Sequence, residues 1–288
     1  MRIQVTGAVG WRKDNLRYKK NEVFLDIVEQ VNMLMSNKGT VLRCDVNGKI
    51  VMKVFLSGMP DVKLGLNDKL EDVTFHQCVN LGRFNTEKVV SFVPPDGEFE
   101  LMKYRCQEGI SLPFRVLPII NEMGRTRLEF SAKAYDGLVQ KRESACWGVT
   151  MDASVPRCSP WSLVSAMAVM VIWSALQVNV KAKSAFNNKL FALNVVISIP
   201  VPDNTAKADI QTTQGQTESA LVASVELIAT TREKKAWAKP PINMSFQVPM
   251  FSASGLRVQY LKVWEKSNYK VDKWVRKVCK SGDYSVRV

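Results

Sequence analysis

The sequence predicts an all-β protein, a sandwich of antiparallel strands. Three observations favour this fold class. Runs of alternating apolar and polar residues recur along the chain, prolines border these runs without interrupting them, and a Pro-Pro-Asp-Gly turn at 94–97 joins two of the runs. The chain has 288 residues, of which 46% are hydrophobic and 23% are charged, so it can bury a core and is not disordered throughout.

The predicted strands are spread over most of the chain. They cover 49–56, 89–93, 99–104, 193–199, 255–264 and 284–288. The second and third form a hairpin around the proline-rich turn. One further segment is ambiguous, because Phe24, Val28, Val31 and Met35 also fit a helical period over 23–36. Periodicity alone cannot assign a short apolar segment of this kind.

Residues 130–177 do not fit the strand pattern. Between Arg157 and Lys181 lie 23 uncharged residues, a stretch long enough to cross a bilayer as a helix. The stretch contains Pro160 and four serines, and strand-like segments flank it. A single span would also leave the two flanking parts on opposite sides of the membrane. We therefore do not expect a transmembrane helix here.

The composition excludes most catalytic classes. His76 is the one histidine, so a catalytic triad or a His-rich metal site would have to rely on it. The six cysteines form no CxxC pair and no zinc spacing, which is typical of reduced thiols in a cytosolic protein. The sequence shows no phosphate loop, nucleophile elbow or signal peptide. We expect no enzymatic activity, no cofactor and no metal.

The net charge of +13 predicts an anionic partner. Most of the excess lies in 178–288, and a second basic cluster near the start consists of Arg12, Lys13, Arg17, Lys19 and Lys20. Nucleic acid, phospholipid headgroups and acidic proteins all meet this description. The sequence contains no DNA- or RNA-binding motif, so a basic nucleic-acid-binding protein is an alternative, and nucleic acid is not the expected partner.

A set of co-linear runs resembles one known family. They are GWR at 10–12, YKKNEVFLD at 18–26, LSGMP at 56–60, LGLND at 64–68, TFHQC at 74–78, FVPPDGEFELMKY at 92–104, LPFR at 112–115, GRTRLE at 124–129, WAKPPI at 237–242, SGL at 254–256, LKVW at 261–264 and KWVR at 273–276. They resemble the cargo-binding (mu homology) domain of clathrin adaptor medium subunits, most nearly that of the plasma-membrane type, adaptor protein complex 2. The resemblance covers 1–129 and 178–288.

The resemblance implies an elongated antiparallel β-sandwich made of two subdomains, the second inserted into the first. The peptide-binding subdomain would comprise 1–115 and 240–288. The inserted subdomain would comprise 116–239 and would be interrupted by the atypical segment 130–177.

The resemblance also implies a site for Tyr-x-x-Φ sorting signals, in which Φ is a bulky aliphatic residue. Such a peptide would add as a strand to a sheet edge, and its Tyr and Φ side chains would point to opposite sides, so two pockets are needed. The tyrosine pocket would consist of Phe24, Asp26, Lys53, Trp274 and Arg276. The hydrophobic pocket would consist of Val23, Leu25, Val258, Leu261 and Val275.

These residue types suit their implied roles. The aromatic residues and the guanidinium can hold the tyrosine ring, and the carboxylate of Asp26 can accept the phenolic proton and repel phosphotyrosine. Considered without the resemblance, Phe24 and Trp274 fit ordinary core aromatics. Likewise, Asp26 and Arg276 fit an ordinary ion pair.

The resemblance further implies docking to phosphoinositide membranes. The family's basic stretch corresponds here to Arg17, Tyr18, Lys19 and Lys20, which would bind headgroup phosphates with about 1 kcal/mol per basic residue. The protein would be cytoplasmic and peripheral at plasma-membrane clathrin-coated pits. It would act there as a cargo-recognition subunit in clathrin-mediated endocytosis and vesicle transport.

The sequence departs from the family pattern in three places. It begins at the cargo domain, without the N-terminal domain that assembles with the other adaptor subunits, so that association is in question. Residues 130–177 separate Glu129 from Val178, which the family joins in one strand, and we interpret them as a disordered segment or a retained intron translated in frame. About two strands are missing around 211–218. A defective splice variant is therefore the alternative to a working cargo subunit.

Overall fold

The computed structural model describes residues 9–67, 71–87, 89–123, 127–134, 148–150, 174–186, 190–203, 205–213, 218–227 and 238–287. Over these residues the chain is almost entirely β, with one short helix, α1 (Leu81–Glu87). This confirms the predicted fold class. Most of the segment 130–177, namely 135–147 and 151–173, lies outside the described residues, so the predicted disorder stays a prediction there. No helix in the described part of the chain is long and apolar enough to span a membrane.

The strands follow the chain in regular succession. Those before residue 140 are β1 (Asn21–Met35), β2 (Val41–Phe55), β3 (Asp61–Leu66), β4 (Glu71–Phe75), β5 (Val89–Phe92), β6 (Gly97–Cys106), β7 (Phe114–Met123) and β8 (Arg127–Ala134). Those after it are β9 (Gly148–Thr150), β10 (Ser174–Ser184), β11 (Leu193–Ser198), β12 (Thr205–Thr213), β13 (Glu218–Leu227), β14 (Ile242–Pro249), β15 (Val258–Trp264) and β16 (Val271–Val286).

The strands form three sheets. Their orders are β4-β6-β2-β1-β16-β14-β11-β9, β12-β13-β10-β7-β8 and β15-β3-β5. The hairpin predicted around 94–97 is wrong, because β5 and β6 lie in different sheets and the turn connects one sheet to the other. Two pairings are parallel, β8 with β10 and β9 with β11. Each includes residues of the atypical segment 130–177, and the other registers determined for the described strands are antiparallel.

The chain divides into two compact units. The first unit contains Met1–Val31, Asp45–Ser111 and Pro249–Lys280, and the second contains Asn32–Cys44, Leu112–Val248 and Ser281–Val288. This division differs from the implied subdomains in assigning 32–44, 112–115, 240–248 and 281–288 to the second unit. The subdomain boundaries themselves stay a prediction.

The segment that sequence periodicity left ambiguous is the strand β1. Along it every second residue from Val23 to Met35 is buried, and the residues between are half-exposed or exposed. This is the period of a strand. Of the residues that fitted a helical period, Phe24 and Val28 therefore lie on the outward face, whereas Val31 is part of the core.

Candidate functional site

Two neighbouring strands, β1 and β16, bring four of the predicted site residues together on one outward face. The rings of Phe24 and Trp274 are stacked, with centroids 6.5 Å apart and planes inclined by 10°. The guanidinium of Arg276 donates from Nε and Nη2 to the two carboxylate oxygens of Asp26, both at 2.7 Å. Strand alternation places residues i and i+2 on one side, so the aromatic pair and the ion pair lie next to each other.

This arrangement suits a phenol. The two-point pairing fixes the plane of the Asp26 carboxylate, and each of its oxygens keeps a lone pair for another donor. The hydrogen bonds to Asp26, and then its charge, raise the pKa of Arg276, so the guanidinium stays charged. Trp274 is 56% exposed, which leaves its ring accessible to a ligand.

Lys53 occupies the outward face of β2 and forms its ion pair with a residue outside the predicted set. Its Nζ lies 2.8 Å from Oε2 of Glu98. The two residues are directly opposite in the β2–β6 register. The resemblance implies that Lys53 joins the polar network of Asp26 and Arg276, whereas the ion pair that the structure shows for it is with Glu98.

The five residues of the predicted hydrophobic pocket fall into two groups. Val23 and Leu25 are 0% exposed and belong to the core side of β1. Val275 is partly exposed, and Val258 and Leu261 are half-buried on β15, an edge strand of its three-stranded sheet. The apolar surface open to a ligand is therefore provided by the residues of β15 and β16.

The beginning of β16 extends past the end of its neighbour. β14 ends at Pro249, and the amide of Met250 donates to the carbonyl of Lys277 at 2.9 Å. The preceding residues 272–276 are all exposed, so successive side chains on opposite faces are both uncovered. A strand that continues beyond its neighbour presents unpaired main-chain groups, to which an extended peptide can add.

The predicted phosphoinositide stretch has one anchored residue and three exposed cations. The hydroxyl of Tyr18 donates to the carboxylate of Asp96, at 2.7 and 2.9 Å from its two oxygens, and this hydrogen bond raises the pKa of Tyr18. Arg17, Lys19 and Lys20 are exposed. Tyr18 thus fixes the segment, and its neighbours extend into solvent.

Arg12 does not belong to the exposed basic cluster to which its sequence position assigned it. It is 5% exposed and donates to the carbonyls of Leu56 (2.5 Å), Gly58 (2.8 Å) and Pro94 (3.2 Å). Burial lowers the pKa of Arg12, and the charge of Asp96 opposes this effect. Arg12 fastens the chain before β1 to two loops of the first unit.

Glu29 is a buried carboxylate that the sequence analysis missed. It is 1% exposed and accepts hydrogen bonds from the hydroxyls of Tyr104 (2.8 Å), Ser252 (2.9 Å) and Ser254 (2.5 Å), and from the amide of Ala253 (2.5 Å). One signal could have revealed it, because a charged residue occupies an inward position in the alternation of β1.

Lys277 complements this buried carboxylate from β16. Its Nζ donates to the carbonyl of Leu256 at 2.9 Å. Burial lowers the pKa of Lys277, and the negative charge of Glu29 opposes this effect. Together the two residues hold 252–256, the segment that leads into β15 and its half-buried Val258. A buried polar network therefore fixes one wall of the candidate site.

The cysteines that the structure describes offer no candidate reactive site. Cys78 and Cys279 are free and buried, Cys106 is buried, and Cys44 is partly exposed. Burial raises the pKa of Cys78 to about 12, so its thiol stays protonated at neutral pH. Among the described residues, His, Cys, Asp and Glu form no group suited to a metal ion.

Comparison with known proteins reveals similar structures. The yeast delta-COP-I mu-homology domain matches 94% of this chain and 100% of its own, with a TM-score of 0.52 and 13% identity. The same domain complexed with the Dsl1 WxWxV peptide matches 94% of this chain and 100% of its own, with a TM-score of 0.52 and 14% identity. At such low identity these two likenesses show the fold alone.

Sequence comparison is more specific. Over 99% of its length the chain is 41% identical to the AP-2 complex subunit mu of Dictyostelium discoideum and 36% identical to that of Caenorhabditis elegans. It spans 65% and 64% of the lengths of these two relatives. The sequence model of the adaptor complexes medium subunit family matches residues 9–222 and 209–288. The chain therefore belongs to the adaptor complexes medium subunit family.

Proposed function

We propose that this chain recognises cargo by binding Tyr-x-x-Φ signals in the cytosolic tails of membrane proteins, as part of clathrin-mediated endocytosis. The observation that carries the proposal is the outward pairing of Phe24 with Trp274 and of Asp26 with Arg276. An aromatic surface beside a carboxylate of fixed orientation suits a phenol. The two relatives named AP-2 complex subunit mu support the same role.

The peptide main chain would add to the exposed beginning of β16. Its tyrosine ring would lie over the Arg276 guanidinium and against Trp274, and its hydroxyl would donate to Asp26. The Arg276–Asp26 pair would stay intact during binding because each carboxylate oxygen has a free lone pair. A phosphate on the tyrosine would meet the Asp26 carboxylate, so phosphotyrosine would be excluded by charge.

The Φ side chain would contact the partly exposed apolar residues of β15 and β16, namely Val258, Leu261 and Val275. A pocket of this kind discriminates between aliphatic side chains by only about 1–3 kcal/mol per methylene. We therefore expect Leu, Ile, Met and Phe to be accepted. Val23 and Leu25 would support this wall from the core side of β1.

Membrane attachment belongs to the same proposal. The exposed cations Arg17, Lys19 and Lys20 would contact phosphoinositide headgroups, with Tyr18 holding the segment through Asp96. The protein would then be cytoplasmic and peripheral at plasma-membrane clathrin-coated pits, in association with other adaptor subunits.

The experiment that tests cargo recognition is fluorescence polarisation with a Tyr-x-x-Leu peptide. We expect the Asp26→Ala and Trp274→Ala variants to bind it at least about tenfold more weakly, because each removes a direct contact to the tyrosine. Matched controls are Asp203→Ala and Trp264→Ala, which change an exposed carboxylate and an indole that is 66% exposed, both outside the site.

Two results would contradict the proposal. One is equal binding of Ala-x-x-Leu or phosphotyrosine peptides, which would show that the phenol is not recognised. The other is an equal loss of binding in the control variants, which would show that the affinity does not arise at the pairing of Phe24 with Trp274 and Asp26 with Arg276.

A further inference from the structure

Four charges of alternating sign cross the sheet at the tyrosine site. The strands β16, β1, β2 and β6 are neighbours in that order. Their outward faces carry, in the same order, Arg276, Asp26, Lys53 and Glu98. Arg276 pairs with Asp26 at 2.7 Å, and Lys53 pairs with Glu98 at 2.8 Å. The ion pair predicted to receive the phenol is thus followed by a second ion pair on the next two strands.

The second pair fixes a position more than it stabilises the fold. Lys53 and Glu98 are directly opposite in the antiparallel register of β2 and β6, where opposite charges attract each other. Their side chains are 41% and 58% exposed, and a pair as exposed as this contributes little to the free energy of unfolding. Its main effect is therefore to determine where the ammonium group of Lys53 lies.

Lys53 stands between two carboxylates. Its strand, β2, has β1 on one side and β6 on the other, and neighbouring strands are only about 5 Å apart. A lysine side chain is long enough to turn toward Asp26 or toward Glu98, and the structure shows it at Glu98. An ammonium group at Asp26 would occupy a lone pair that the phenol needs, and it would offer a phosphate a positive charge.

The other charged groups on these strands do not take the place of this pair. Glu100 of β6 forms an ion pair with Lys103 at 3.0 Å. Asp272 of β16 forms one with Lys270 at 3.7 Å. Glu22 lies on the outward face of β1 and adds a further negative charge near the predicted phenol position. The surroundings therefore favour a neutral ring over an anionic one as long as no lysine is free to move in.

We propose that Glu98 is a positioning residue that makes the tyrosine site selective for the unmodified phenol, by holding Lys53 away from Asp26. The inference rests on the proposed recognition of Tyr-x-x-Φ signals, and it concerns which chemical form of tyrosine that site accepts. While Glu98 holds the lysine, a doubly charged phosphate meets the Asp26 carboxylate with no ammonium group to offset it. Once Glu98 is neutralised, Lys53 can pair with the phosphate or compete with the phenol.

The test compares a Tyr-x-x-Leu peptide with its phosphotyrosine form, each as a competitor in fluorescence polarisation. Selectivity is the ratio of the two affinities. Glu98→Gln should reduce this ratio about fivefold, because the released lysine favours the phosphate and disfavours the phenol. The matched control is Glu100→Gln, which removes the same charge from the same face of β6 and should change the ratio by less than about twofold.

A double substitution separates positioning from a general effect of charge. In a Lys53→Gln background, Glu98→Gln should change the ratio by less than about twofold, because the lysine that it positions is gone. An equal reduction in both backgrounds, or in Glu100→Gln, would overturn the proposal. So would a melting temperature lowered by more than about 5 °C in Glu98→Gln, because that would assign the carboxylate a structural role.

Failure of the proposed function would give a different result. If the unchanged protein binds neither peptide, or both equally, recognition of the phenol is wrong and this inference is wrong with it. If the unchanged protein prefers the unmodified peptide and Glu98→Gln keeps the same ratio, recognition of the phenol stands and only the role of Glu98 is wrong.

Discussion

The two compact units differ in how the register of their strands is fixed. In the first unit, Glu29 and Arg12 each bond to several groups far away in sequence, and these bonds allow one alignment. In the second unit, Val116 of β7 is paired with Ala134 of β8 and also with Ala182 of β10. β8 and β10 also pair with each other in parallel, which makes residues 127–133 of β8 equivalent to residues 175–181 of β10.

The sequences of these two strands explain the equivalence. Residues 130–134 read FSAKA and residues 178–182 read VNVKA, and the parallel register places Phe130 opposite Val178. Both segments could continue the strand that contains Glu129. Alternation of apolar and polar residues does not distinguish between them, whereas a buried polar group with defined partners would. Side-chain hydrogen bonds thus specify the unit that carries the candidate site.

The largest effect should follow removal of the carboxylate that organises the first unit. Glu29→Ala leaves three hydroxyls and an amide without their acceptor, and we expect it to lower the free energy of unfolding by about 3 kcal/mol. Urea unfolding measures this loss. Hydrogen exchange should accelerate in β1 and β6 and stay unchanged in β12 and β13.

The control for this prediction is Glu22→Ala, since Glu22 is a partly exposed glutamate on the same strand. This substitution should lower the free energy of unfolding by about 0.5 kcal/mol or less. Equal destabilisation by the two substitutions would contradict a special role for Glu29. Equal acceleration of exchange in both units would contradict the contrast between them.

An intermediate effect should appear at alkaline pH. Burial, and then the charge of Glu29, raise the pKa of Tyr104 above its ordinary value of 10.0. The stability that this hydroxyl contributes is therefore complete below pH 10.0 and is lost as the pH rises through the folded-state pKa. Tyr104→Phe should lower the free energy of unfolding by about 1 kcal/mol at neutral pH. Above about pH 10 the free energy of unfolding of this variant should fall less steeply with pH than that of the unchanged protein. Urea unfolding midpoints measured at several pH values above neutral test this prediction. The same slope of midpoint against pH in both proteins would contradict it.

The smallest effect on the candidate site should come from the second unit. Deletion of 130–177 joins Glu129 directly to Val178, so that one continuous strand replaces β8 and β10 as the partner of β7. The affinity for a Tyr-x-x-Leu peptide should change by less than about twofold, because the predicted contact residues all belong to the first unit. Loss of binding by a soluble deletion variant would show that the first unit depends on this segment.

The sequence predicted what depends on local alternation. The all-β class, and the shared faces of Phe24 with Asp26 and of Trp274 with Arg276, follow from the period of two. The buried role of Glu29 and the pairing of Lys53 with Glu98 could not be predicted in the same way. Both features depend on which distant strand lies beside β1 or β2, and the local sequence pattern does not contain the register between such strands.

The partners of Glu29 also determine when the first unit can fold during synthesis. Tyr104 lies 75 residues further along the chain, and Ser252, Ala253 and Ser254 lie 223 to 225 residues further. A nascent chain that does not yet contain 252–254 cannot bury this carboxylate without leaving it short of donors. The recognition surface therefore forms only after residues 252–254 have been synthesised, and a product that stops before them would lack it.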